Sequence, residues 1–242
     1  MISRSASLVP FFCVLALLTA CDVQNVKTGP LQEEPVSIPL GSNERANLEL
    51  KMGAGEIHLT GGAKELLEGK FEYNVPDWKP TVRSSVIDDH ASVTIAQPAS
   101  VGGFGHVRYR WDLQLNDNAL LDLKVNCGAG KTDLNLGDVK LRIVTVNMGA
   151  GEVDLDLRGT PKRDYEVDIS GGVGKAVVHL PTGVGIRAEA HGGLGNITVT
   201  GLEKRGDHYE NSLYDKAKVN VRLKVRGGIG EIQLIGNGES DM

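Results

Sequence analysis

The chain has 242 residues, a formal net charge of −5 and 24% charged residues with no basic block, a balance that excludes a nucleic-acid binder. Aromatic residues make up 5% of the chain and its only tryptophans are Trp78 and Trp111, which argues against a sugar-binding face built on exposed rings. Glycine, at 31 residues, is nearly twice the usual ~7%, and these glycines recur in register instead of forming a low-complexity tract.

Arg4 supplies a short positive segment, Leu8 to Leu18 an apolar stretch too short to span a bilayer, and Thr19 and Ala20 follow as small residues. This is the layout of a secretory signal over residues 1–20. Leu18-Thr19-Ala20-Cys21 resembles the bacterial lipobox. The resemblance implies cleavage between Ala20 and Cys21, a thioether-linked diacylglyceryl group on Cys21 and a membrane anchor through acyl chains. The expected location is the bacterial cell envelope. Asp22, which resembles an inner-membrane retention signal of enteric bacteria, slightly favours the periplasmic face of the inner membrane over the outer membrane or cell surface. Cys13 leaves with the signal and Cys21 carries lipid, so Cys127 stands alone and no intramolecular disulfide or cysteine-rich zinc site is available. Residues 21–39, with three prolines and few apolar residues, read as a tether.

From residue 40 the chain divides into an irregular N-terminal part, 40–115, and a repetitive part, 116–236, followed by a tail, 237–242. Six segments share alternating apolar residues around Gly-x-Gly, with glycine pairs at Gly53/Gly55, Gly128/Gly130, Gly149/Gly151, Gly172/Gly174, Gly193/Gly195 and Gly228/Gly230. Period two means strand. The apolar parity changes inside the motif: Leu48, Leu50 and Met52 are even, whereas Ile57 and Leu59 are odd. The glycines therefore mark corners that reset the inward face. Four consecutive copies lie 21 to 23 residues apart. This predicts an all-β, right-handed single-stranded β-helix or β-solenoid whose coils of 21–23 residues turn at Gly-x-Gly, with about ten coils spaced at ~4.8 Å.

Stacked in chain order, the residue after the second glycine reads Lys131, Glu152, Lys175, Asn196, Glu231, alternating in sign where it can. Asn126, Asn147, Ser170 and His191 form a polar ladder, and Cys127 shares a column with Met52 and Met148 as a small buried hydrophobe. Residues 203–218 are highly charged and break the rhythm, as a loop or short helical excursion.

Along these residues the chain is similar to the toast-rack family of bacterial envelope proteins, whose function is unknown. The resemblance is carried by Met52-Gly53-Ala54-Gly55-Glu56, Gly61-Gly62-Ala63, Leu66 to Asn74, Trp111-Asp112-Leu113 and the later Gly-x-Gly motifs. It implies a C-terminal half like the cell-wall-active antibiotic response proteins that modulate envelope-stress signalling, though without their transmembrane helices.

No catalytic residues, metal site or cofactor are expected. Gly130-Lys131-Thr132 imitates the end of a phosphate-binding loop, but Val125 stands where that loop needs glycine, so nucleotide is not an expected ligand. Asp88-Asp89-His90 reads as a turn. Asp133 with Asp154, and Asn135 with Asp156, read as a solvated acidic face with calcium binding as the lesser reading. A lyase or hydrolase would have to use Asp133, Asp154 and Lys131. The expected function is a non-enzymatic, lipid-anchored envelope protein that displays its rod to an unknown envelope protein. The alternative is a surface adhesin or polysaccharide-binding lipoprotein.

Overall fold

The computed structural model describes residues 27–42, 44–99 and 106–236. In chain order the strands are β1 (Gln32–Ile38), β2 (Arg45–Ala63), β3 (Leu67–Tyr73), β4 (Thr81–Ile87), β5 (His90–Ala96), β6 (Tyr109–Asn116), β7 (Leu120–Asn135), β8 (Leu141–Asp156), β9 (Tyr165–His179), β10 (Gly185–Thr200), β11 (Glu203–Arg205), β12 (His208–Glu210) and β13 (Asn220–Ile235). Among the described residues a single 3-10 turn, Pro76–Trp78, follows β3. The protein is all-β, with long parallel strands stacked in one open sheet.

Each long strand is two limbs joined at Gly-x-Gly, and β7 shows why. Leu121, Leu123, Val125 and Cys127 are buried on the first limb; Thr132, Leu134 and Leu136 are buried on the second. The inward face passes from odd to even positions at Gly128-Ala129-Gly130. Gly130 makes the change with φ +132°, a conformation that side chains resist, and a Cβ added there would come closer than 3.0 Å to the Gly55 carbonyl oxygen. Gly128 likewise lies against the carbonyl of Gly53. The inward residues of all layers form one hydrophobic core. At ~25 cal/mol per Å² of apolar surface, this burial is the main force holding the layers together.

The layers do not stack in chain order. The sheet runs β2-β7-β8-β9-β13-β10, so the last strand lies between β9 and β10. Cross-strand charge matches the position. On the first limb Arg222 pairs with Glu166 at 2.6 Å, Arg226 with Asp168 at 2.7 Å, and Lys224 with Glu189 at 3.6 Å; on the second, Lys175 pairs with Glu231 at 3.3 Å. A basic strand thus sits between two that present acids. In true spatial order the post-glycine column reads Glu56, Lys131, Glu152, Lys175, Glu231, Asn196, which alternates in sign more completely than the chain-order column.

A layer without its own Gly-x-Gly covers the other side of β2. β5 pairs with the first limb of β2 and β6 with the second. At the corner between them the Gln97 side-chain oxygen accepts hydrogen bonds from the backbone N–H groups of Gly53 and Ala54, at 2.7 and 3.1 Å. That amide does for Gly53 and Ala54 what a backbone carbonyl does between other layers. β3 adds antiparallel to β6 and β1 antiparallel to β3, while β4 adds antiparallel to β5. Seven bent layers (β5/β6, β2, β7, β8, β9, β13, β10) at ~4.8 Å per step make a stack about 30 Å thick, shorter than ten coils would give.

Three expectations about segments change. The tether drawn over 21–39 ends sooner, because residues 32–38 form β1 and pair with β3. The excursion over 203–218 contains the β11–β12 hairpin, and β12 pairs with β10 at Arg187 and Ala188. Finally, β2 pairs with β7 from Arg45 to Thr60, so one sheet runs across residue 115.

Candidate interaction surface

The bent strands give the rod two outward faces and an outward corner. The first-limb face is a web of polar ladders. Asn147 donates to Asn126 at 2.9 Å, and Asn126 to Glu49 at 3.3 Å. Ser170 is met by Arg226 of the inserted strand, at 3.3 Å, so His191 lies one layer further away than chain order places it.

The second-limb face carries the acids considered as a calcium or catalytic set. Asp133 and Asp154 are register partners, as are Asn135 and Asp156. Their side chains are engaged elsewhere: Asp133 faces His58 at 3.6 Å, Asp154 faces His179 at 3.7 Å, and Asp156 accepts from the Arg158 guanidinium. Hydrogen bonding to Arg158 holds the Asp156 carboxyl below the usual carboxylate range. Lys131 shares this open face, while Thr132, its neighbour in the imitation phosphate loop, is fully buried. Among the described residues no group of three or more His, Cys, Asp or Glu is arranged to hold a metal ion.

Other sequence candidates fall as follows. Asp88 and Asp89 make the two-residue turn between β4 and β5, with Asp88 at φ +56°. Cys127 is buried, and burial pushes its thiol pKa up. Trp78 and Trp111 are both buried, in a cluster with Phe71, Tyr73 and Tyr109 beneath the N-terminal layers. Ala20 and Cys21 lie outside the described residues. His208, in the charged excursion, meets Asp207 at 3.0 Å and Glu210 at 3.2 Å, which fastens the β11–β12 hairpin.

The corner is the surface that sequence reasoning undervalued. The residue between the glycines points outward, and along the stack it reads Ala54, Ala129, Ala150, Val173, Ile229, Leu194. The last three are large and exposed, at 53%, 52% and 70%. They stand on adjacent strands as a continuous apolar ridge at one end of the rod. The column's apolar character was visible in the sequence, but not its outward direction. The glycines on both sides of it let the backbones of adjacent layers pack in close contact beneath the ridge. Behind it Gly171, Gly192 and Gly227 replace Met52, Cys127 and Met148 in the inward column, and a cavity of about 40 Å³ lies beneath the corner. Among the described residues no helix is long and apolar enough to cross a membrane.

Comparison with known proteins bears on the whole rod. The model described as the N-terminal domain of toast_rack, DUF2154, matches residues 27–179. A second, cell wall-active antibiotics response LiaF, C-terminal, matches residues 130–234 and so includes the ridge. A crystal structure titled as a putative cell adhesion protein from Clostridium sporogenes ATCC 15579 is 31% identical, with a TM-score of 0.83, and covers 86% of this chain and 100% of its own. One titled as a putative adhesin from Bacteroides fragilis NCTC 9343 is 11% identical, with a TM-score of 0.28, and covers 85% of this chain and 97% of its own. The second is a remote likeness. Among curated proteins none matches the chain.

Proposed function

Because the chain belongs to the toast-rack family and carries a LiaF-like C-terminal region, we propose that it is a non-catalytic, lipid-anchored module of the bacterial cell envelope that displays a rigid interaction surface to an envelope protein. The observation that carries this reading is the ridge Val173–Ile229–Leu194, exposed on a glycine-fixed corner within the LiaF-like stretch. Apolar side chains on neighbouring strands form a patch of the kind that marks protein contacts. Lipid on Cys21 anchors the rod, and residues 22–31 precede its first strand.

The test is a crosslinked pull-down from stressed cells using wild type, Cys21→Ala and Val173→Ser/Ile229→Ser. An envelope protein captured by wild type and lost in the ridge variant supports the reading. Equal capture by both removes the ridge from it, and membrane retention of Cys21→Ala removes the lipid.

A second reading, a surface adhesin, is favoured by the likeness to the putative cell adhesion protein of C. sporogenes. Surface-protease accessibility and glycan arrays separate the two, since an adhesin is cleaved on intact cells and binds a host or wall ligand.

A further inference from the structure

β10 is the last layer of the stack, and one of its edges is open. β13 pairs with it from Gly185 to Thr200, whereas β12 covers the opposite side only at Arg187 and Ala188. Among the described residues, Glu189–Thr200 has no strand on that side. Other free edges carry protection: β1 contains Glu33, Glu34 and Pro35, and β4 is a seven-residue strand bearing Arg83. From Ala190 to Thr200 there is no Lys, Arg, Asp, Glu or Pro. Inward residues near the corner of this layer are also left partly uncovered. Ile197 is 38% exposed, while its register partner Ile232 is buried.

A strand that covers this whole edge has to turn the same corner, and its side chains must clear the glycine-rich backbone there. Residues 193–196 of a second copy meet both conditions. The far end of the stack finishes in two separate short edges, β1 and β4, neither of which turns a Gly-x-Gly corner, so it offers β10 no matching bent edge for head-to-tail stacking and an isologous pair remains. A bent strand maps onto itself under a two-fold axis along the bisector of its corner, which exchanges the limbs and reverses the strand direction. Inward residues must face inward residues, which sets the register. Ala190 then faces the partner's Val199, Gly192 the partner's Ile197, Gly193 the partner's Asn196, and Leu194 the partner's Gly195. Every larger corner side chain lies opposite a glycine, and no two like charges oppose.

We propose that Glu189–Thr200 is a dimerisation edge, where a second copy of this chain adds antiparallel about a two-fold axis passing between Leu194 and Gly195. The pairing is bounded at both ends, because the chain turns away at Gly201, φ +74°, just where β12 begins to cover the other limb. The two corner ridges meet at Leu194 and become one. Dimerisation through this edge holds whether or not the rod takes an envelope partner.

The test is sedimentation velocity of the full chain in detergent over a concentration series, beside His191→Lys/Thr198→Lys. Both positions are exposed and point outward, and in this register each opposes the other across the axis. A wild-type dimer that becomes monomeric in the lysine variant, with an unchanged thermal melt, is the expected result. His191→Cys/Thr198→Cys should form interchain disulfides under mild oxidation, because within one chain these positions lie on different limbs. His191→Cys/Val199→Cys, on opposite faces, should not. A monomer at every concentration, a dimer indifferent to the lysines, or equal crosslinking of both cysteine pairs overturns the proposal.

Discussion

Lys175 Nζ and Glu231 Oε2 lie 3.3 Å apart, although all of β10 separates them in the sequence. This contact records the insertion of β13 between β9 and β10. Both side chains are more than a third exposed, so solvent screens the pair and it adds little to stability. Lys175→Glu and Glu231→Lys should each lower stability slightly. The double exchange should recover the part of the loss that belongs to this pair in a chemical-denaturation cycle, the new acid at 175 still opposing Glu152. Independent, additive losses would contradict the contact.

The two kinds of glycine in the motif should respond oppositely to alanine. Gly130→Ala places a Cβ against the Gly55 carbonyl at φ +132° and should cost about 3 kcal/mol or more, enough to prevent folding of a marginal chain. Gly171 has an ordinary φ, and a Cβ there meets its nearest atom, the Arg226 carbonyl oxygen, at 3.9 Å beside the corner cavity. Gly171→Ala should therefore be neutral or stabilising by about 0.4–1 kcal/mol in thermal melts.

Acid and alkali should each destabilise the rod through identifiable groups. Hydrogen bonds from Lys51, Lys70 and Arg158 hold Glu49, Glu72 and Asp156 below the usual carboxylate range. Their stabilising contribution is full above the unfolded-state values of about 4 and is lost as pH falls through the lower folded-state values. At the other extreme, burial pushes the phenols of Tyr109 and Tyr165 up. The unfolded chain then ionises first, and stability should fall as pH rises above about 10. Denaturant midpoints across pH test both arms, and Asp156→Asn should flatten the acid arm.

Cys127 should resist thiol reagents in the native protein. It is buried, its Sγ lies 3.6 Å from the Ala129 carbonyl oxygen, and desolvation disfavours the thiolate that reacts. Labelling should track global unfolding across a denaturant series. Rapid native labelling would show that the corner opens locally.

Much of this architecture is legible in the sequence because it is periodic. Alternation gives strands, the parity change at Gly-x-Gly gives corners, and the Asn126–Asn147 ladder follows from the spacing. What is not periodic is not legible. The order β9-β13-β10 brings Arg222, Lys224 and Arg226 to acids on two other strands, a pairing between distant segments. The first layer lacks the motif altogether and uses Gln97 at the corner. β1 has only Val36 and Ile38 as clear apolar signals, and takes its strand form from pairing with β3. The ridge was hidden for a different reason: alternation says which residues are apolar, but at a corner where parity resets it does not say which way Val173, Ile229 and Leu194 point.

The most direct measurement places a photo-crosslinking amino acid at position 229 on the ridge and, separately, at position 233 on the second-limb face, in living cells. The expected result is a specific adduct with an envelope protein from position 229 and none from 233, with adduct mass separating such a partner from a second copy of this chain. Equal adducts from both positions, or none from 229, would contradict the ridge as the surface this rod exists to display.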